Sequence, residues 1–221
     1  MMKDIIASYL LSLLVTTSAL FAQYPQWENY ARGDKIKDIK ADGNYLWVAT
    51  YGGLVRIDRT TLEKTFYNKA NSGFPINQIY CFAIDKQKNI WFGTPEGHIV
   101  KFDGISSSTV YDYTNSLLPK GRLVSIVIDD SDRVWASFLE SPYLLFFDGD
   151  QWNTWTRNNT IFNYSPVNKF VLDKNRTLWV TANRPAKFNG TDWEPVERMN
   201  HPSRALAVDD DDNVWFALLT G

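Results

Sequence analysis

A cysteine, two histidines and several carboxylate clusters are the residues of this chain that could do chemistry, and their spacing argues against each. The single cysteine, Cys81, falls in an apolar run between Tyr80 and Phe82. A thiol nucleophile needs a base beside it, and the sequence places none there, so Cys81 reads as a core thiol. His98 and His201 are isolated from each other and from Cys81, without the spacing of metal ligands. Asp209-Asp-Asp-Asp-Asn213 alternates oxygen donors as a calcium loop does. The glycine and later glutamate of such a loop are missing, and Val214 follows instead, so the segment reads as a solvated turn. No Ser-His-Asp order, phosphate-cradling glycine loop or dinucleotide fingerprint occurs. These residues lead to an expectation of no catalytic residue, no metal and no cofactor.

Composition narrows the classes further. The chain has 221 residues, 44% of them hydrophobic, which is enough for one domain with a real core. A formal charge of −2 and the lack of a basic stripe give no reason to expect nucleic acid. Residues 1–22 read as a signal peptide: Lys3 opens the segment, an apolar run follows, and Leu20-Phe-Ala22 offers a cleavage site. An uncleaved anchor helix is the competing reading, and the Ser and Thr that interrupt the run weigh against it. The expected domains are therefore 1–22 as signal peptide and 23–221 as an exported module without membrane insertion. With one cysteine it holds no internal disulfide, so its stability must come from packing.

What positions these residues is a repeat. Trp47, Trp91, Trp135 and Trp179 are spaced 44 residues apart, and Trp215 follows after 36. A fixed period of this size means one structural unit copied along the chain. Each Trp follows a turn-type cluster, such as Asp85-Lys-Gln-Lys-Asn89 or Asp129-Asp-Ser-Asp-Arg133. In one unit, residues 76–84, 90–94, 98–103 and 109–113 read as four short strands. That is the size of a propeller blade. No long segment shows helical spacing, so a parallel sheet with crossover helices is excluded. The fold expected is all-β, a β-propeller of four-stranded antiparallel blades. Gly221 stands six residues after Trp215, as Gly53 follows Trp47, so the chain reads as incomplete: four blades plus part of a fifth. Further blades are expected downstream, and Tyr24 to Tyr30 resembles a fourth strand that would close a ring.

The segments Asp85-Lys-Gln-Lys-Asn-Ile-Trp-Phe-Gly-Thr-Pro-Glu-Gly97, Asn71-Ser-Gly-Phe-Pro75, Tyr113-Thr-Asn-Ser-Leu-Leu-Pro119 and Phe147-Asp-Gly-Asp-Gln-Trp152 resemble the two-component regulator propeller repeat of bacteria. Units three and four depart from it, with Ala136-Ser-Phe138 and Val180-Thr-Ala182 in place of the Gly-Thr ending. The resemblance implies either the extracytoplasmic sensor part of a signalling protein or a secreted multi-blade scaffold or adhesion protein with a sorting domain. Some exported propellers are lactonases or lyases with a central metal, which is the enzyme alternative.

In a propeller, the loops joining second to third strands share a face with those joining successive blades. On that face Tyr51, Glu96, Arg122, Glu140 and Arg184 are the candidate ligand-binding residues. The expected partner is a small molecule, glycan or protein ligand. The tryptophans themselves read as packing residues.

Overall fold

The computed structural model describes residues 35–219, apart from 140, 142, 143, 156–161, 163–166, 198 and 200. The signal-peptide segment, the strand expected at Tyr24–Tyr30 and the candidate Glu140 lie outside the described residues.

Eighteen strands form four four-stranded antiparallel sheets and one two-stranded sheet among the described residues. The first contains β1 (Ile36–Asp42), β2 (Tyr45–Thr50), β3 (Gly53–Asp58) and β4 (Lys64–Tyr67). The second contains β5 (Cys81–Ile84), β6 (Ile90–Gly93), β7 (Ile99–Phe102) and β8 (Ser108–Tyr111). The third has β9 (Leu123–Ile128), β10 (Val134–Phe138), β11 (Leu144–Phe147) and β12 (Trp152–Trp155). The fourth has β13 (Lys169–Leu172), β14 (Leu178–Thr181), β15 (Ala186–Phe188) and β16 (Trp193–Pro195). β17 (Ser203–Val208) and β18 (Val214–Leu218) make the fifth. Each sheet is a simple meander, strands pairing in chain order, which suits short connections between antiparallel neighbours. These are propeller blades.

The first strands touch in succession, β1 with β5, β5 with β9, β9 with β13 and β13 with β17, so they form the inner side of the stack. The first strand of the second blade is shorter than the sequence suggests. Residues 76–80 run outside the sheet because Ile79 N–H donates across to Thr50 O of the first blade at 3.0 Å. The fourth strand stops at Tyr111 because Asp112 turns the chain. Its carboxylate accepts from Thr114 N–H at 2.7 Å, and its own N–H donates to the Asn115 side chain at 2.9 Å. Asn71 makes the equivalent turn in the preceding repeat, accepting from Asn68 N–H and donating to Phe66 O, both at 2.8 Å.

The core lies between blades. One cluster joins Trp47, Leu54 and Tyr67 to Phe82, Phe92 and Phe102. A second joins Trp91 to Ile126, Phe147 and Trp152, and a third joins Trp135 to Phe170, Phe188 and Trp193. Trp91 and Trp135 thus pack on the third- and fourth-strand aromatics of the blade that follows. Trp91 lies 5.3 Å from the Phe147 ring, and Trp135 lies 5.1 Å from Phe188. Such tilted and edge-on pairs add to the area they bury. Trp215 is 63% exposed, the face of the fifth sheet being bare in this structure.

A second role of the tryptophans comes from the turns. Asp85, Asp129, Asp173 and Asp209 each accept the indole N–H of the Trp six residues on, at 3.0, 2.8, 2.8 and 2.7 Å. The other carboxylate oxygen takes the backbone N–H four residues on, closing the turn. The residue between sits in the left-handed region, at Lys88, Asp132, Arg176 and Asp212. Asp209-Asp-Asp-Asp-Asn213 is thus a structural turn holding Trp215. The Asp209 carboxyl is held down at about 2, first by the Trp215 indole and then by Asn213. The first blade lacks the device: Ala41 stands where the Asp would be, and Asp42-Gly43-Asn44 makes a tighter turn.

These turns also alternate in charge around the stack. Lys88 of the second blade meets Asp42 of the first at 2.5 Å. Lys86 donates to Asp130 O of the third at 2.7 Å. Arg176 of the fourth reaches Asp130 at 2.8 Å, and Lys174 and Asn175 bond Asp210 and Asp212 of the fifth.

Candidate functional site

The opposite face carries the loops of interest. Thr50 shapes the first of them, its hydroxyl accepting from Gly52 N–H at 3.0 Å and donating to Gly53 O at 2.9 Å. Thr94 repeats this, accepting from His98 N–H at 3.2 Å and bonding its Nδ1 at 3.1 Å. The threonine that ends the second strand, Thr50 in the first blade and Thr94 in the second, thereby fixes the loops that present Tyr51 and Glu96. Gly97 has φ +91, and a side chain there would meet Pro119 O at 2.9 Å, so the Glu96 loop is pressed against the segment leading to Arg122. In blades three and four Phe138 and Ala182 replace the threonine, and that clamp is lost.

Three of the five candidate residues come together. Tyr51 and Glu96 line one cavity of about 440 Å³ with Lys69, Pro75, Asn77 and Gln78. Beside it the Tyr51 and Tyr80 hydroxyls lie 3.3 Å apart, with ring centroids at 5.9 Å. Lys37 Nζ sits 4.8 Å from the Tyr51 centroid and 5.1 Å from that of Tyr80. Lys35 Nζ lies 5.3 Å from Tyr51, and the Arg122 guanidinium lies 5.3 Å from Tyr80. Cations over phenol faces are held by the ring quadrupole. The hydrogen bond with Tyr80 and then Lys37 lower the Tyr51 phenol from its ordinary value. Arg184 is exposed and is not among the residues lining this cavity.

Lys35, Lys37, Lys69 and Tyr80 are not among the residues that sequence reasoning singles out. A signal exists for some of them. Lys35 and Lys37 flank the start of β1, Arg122 precedes β9, Lys169 opens β13 and Arg204 is the second residue of β17. A cation near the start of the first strand, in every blade but the second, is a feature that the Trp alignment alone leaves unread.

Cys81 lies on β5 at the register position of Asp38, Ser125 and Lys169. Burial, then the neighbouring Asp38, pushes its thiol up to about 12, so it stays protonated and is a poor nucleophile. Asp38 and Ser125 are occupied by structure, accepting Phe82 N–H and Phe170 N–H of the following blades at 3.2 Å each. Among the described residues no group of three His, Cys, Asp or Glu is placed to hold a metal ion. A further cleft of about 380 Å³ lies between blades three and four on the turn face. Its arginines are paired, Arg133 with Asp129 at 2.7 Å and Arg176 with Asp130 at 2.8 Å. No described helix is long and apolar enough to cross a membrane.

Fold and face together define a β-propeller whose loops converge on a small polar cavity. Residues 73–96 match the family model of the two component regulator propeller, so that segment is a repeat of that kind. No curated protein matches the sequence. Among solved structures, the extracellular domain assigned to a hybrid two component system of B. thetaiotaomicron is similar with a TM-score of 0.64 at 16% identity. The match covers 84% of this chain and 27% of that one. Virginiamycin B lyase from Staphylococcus aureus gives 0.66 at 15% identity, covering 84% of this chain and 64% of the lyase. PorZ, a bacterial surface component of the type-IX secretion system of Porphyromonas gingivalis, gives 0.64 at 14%, covering 83% and 31%. At these identities the likeness is one of fold. The chain spans roughly a quarter of the length of the extracellular domains it resembles.

Proposed function

We propose that this chain is an exported, non-catalytic binding module, the extracytoplasmic sensor part of a two-component-type signalling protein. The observation that carries the reading is the convergence of Tyr51 and Glu96 on one cavity, with Tyr80, Lys37 and Arg122 beside it. Polar groups gathered in a concave site on loops of a rigid scaffold are the usual form of a ligand site. The two-component regulator propeller repeat and the likeness to extracellular domains of such systems support the sensor role. The ligand is a small molecule, a glycan or a segment of protein.

A secreted scaffold is the second reading, favoured by the likeness to PorZ. The likeness to a lyase keeps an enzyme reading in play, and stoichiometric metal lost with Glu96→Ala would favour it.

The test is a thermal-shift screen of the protein against oligosaccharides and organic acids. A ligand at a hundred times its Kd stabilises by about 2.7 kcal/mol. At roughly 2–4 °C per kcal/mol for a domain of this size, at least one probe should raise Tm by several degrees. The gain should vanish in Tyr51→Ala/Glu96→Ala. A gain that survives in the double variant, or no gain with any probe, counts against the reading.

A further inference from the structure

The two faces of the stack treat their charges differently. On the turn face, Lys86, Lys88, Arg133, Arg176 and Lys187 each meet a carboxylate within 4.0 Å. On the loop face, Lys35, Lys37, Lys69, Arg122, Lys169 and Arg204 form no ion pair among the described residues. All six are exposed. The contrast follows from topology. First strands of successive blades run side by side and all begin on the loop face, so the cations near the starts of the first, third, fourth and fifth share the inner side, while the second, opening at Cys81, brings none.

The carboxylates on this face do not neutralise the set. Asp38 is taken up by Lys40 at 3.3 Å and by Phe82 N–H. Glu96 is exposed on the cavity rim without an ion pair among the described residues. Like charges held together raise each other's energy, and the tyrosine faces offset this only in part. An anion relieves it directly.

We propose that this face takes a ligand carrying two or more negative groups, carboxylate, sulfate or phosphate, with Lys37 and Arg122 beside the Tyr51–Tyr80 pair as its main contacts. The proposal rests on the binding role argued above and names the ligand's chemistry. Lys37 and Arg122 approach Tyr80 from two different blades, at 5.1 and 5.3 Å from its ring, so a ligand with two negative groups can meet each cation with one of them. The Tyr51 and Tyr80 hydroxyls bond each other, so one of the two is left to donate to an anion. Asn77 and Gln78 offer amides to the uncharged remainder of the ligand.

The experiment is isothermal titration of the protein with three probes: tripolyphosphate, a sulfated trisaccharide and the same trisaccharide without sulfate. Tripolyphosphate or the sulfated sugar should bind, and which of them binds distinguishes a phosphate from a sugar-borne anion as the source. Binding should weaken between low and high salt, as screening shortens the reach of the cations from ~30 Å at 0.01 M to ~3 Å at 1 M. Lys37→Gln/Arg122→Gln should weaken it about tenfold or more, the scale of losing charge-assisted hydrogen bonds. Lys86→Gln on the turn face should leave it unchanged. Circular dichroism checks that each variant folds, and Lys35→Glu provides an independent variant should the double one not fold. Equal affinity for the sulfated and uncharged sugars, lost in Tyr51→Ala, would overturn the charge argument but keep the binding role. Anion binding indifferent to Lys37, Arg122 and Lys35 would overturn the placement. If no probe binds, the charge proposal fails, while the thermal-shift screen decides the binding reading separately.

Discussion

Trp135 is completely buried, and its indole N–H reaches Asp129 Oδ2 at 2.8 Å. Trp135→Ala should therefore cost about 3–5 kcal/mol in denaturant unfolding, the scale of an emptied aromatic core site. Trp215→Ala, at 63% exposure, should stay within about 0.5 kcal/mol. Asp129→Ala leaves the buried indole donor and the Arg133 backbone without their acceptor and should cost about 1–3 kcal/mol. Other turn carboxylates set the acid limit. Asp58 is lowered by Thr61 and Thr60 backbone donors, Asp112 by Thr114, Asp148 by Gln151 and Asp150, and Asp209 to about 2 by Trp215. Folded values below the unfolded 3.8 mean that their stability is complete at higher pH. It should drain away as pH falls from the ordinary carboxylate range toward 2. A pH series of melting temperatures checks this, and a Tm that holds level from the ordinary carboxylate range down to about 2 would contradict it. At this scale the tryptophans are legible as packing residues, since their period matches a buried position. The Asp–Trp bond is present in the sequence as a constant six-residue interval, broken at Ala41. It is easily passed over because an Asp in a turn already has a sufficient local explanation.

Gly93 ends β6 against the next blade, and a Cβ added there would lie 1.8 Å from Leu123 Cδ2. Gly93→Ala should thus push the inner strands apart and cost about 1–3 kcal/mol, although glycine in a strand is normally a weakness. An alanine variant as stable as the parent would show that Leu123 gives way. Ser137 and Thr181 occupy the equivalent position in blades three and four, which is why the Gly-Thr ending could change there without loss of the blade. The alternating turns make a second test. Arg176→Asp should destabilise slightly, and Asp130→Arg in that background should recover some of the loss. Exposed pairs are worth about 0–1 kcal/mol, so the coupling should fall near ~0.5 kcal/mol and shrink in high salt. Element boundaries are the least legible level. Residues 76–80 look like strand by composition, but Ile79 and Tyr80 give their backbone N–H groups to Thr50 and Gly93 while leading into the sheet.

Among the described residues three inter-blade clusters hold the blades together, so each blade depends mainly on its neighbours. That is why the period alone discloses the architecture: a unit that cannot bury its own face must repeat the residues that bury it. The site obeys a different logic. Tyr51, Glu96 and Arg122 are legible because loops between second and third strands and between blades share a face. Tyr80 and Lys37 are not, because they approach through inner strands whose facing directions depend on register. Glu140 lies outside the described residues, and Arg184, on a loop of the fourth blade, is not among the residues lining a cavity built by the first two blades. The central claim is that this face, and not the charge-paired turn face, receives an anionic ligand. Amide chemical-shift mapping of the isotope-labelled protein during titration with tripolyphosphate tests it directly. Shifts confined to residues 35–38, 51–53, 77–80, 95–97 and 122 are the outcome the account requires. Shifts gathered at 85–89, 129–133 and 173–177, with the loop face silent, would contradict it.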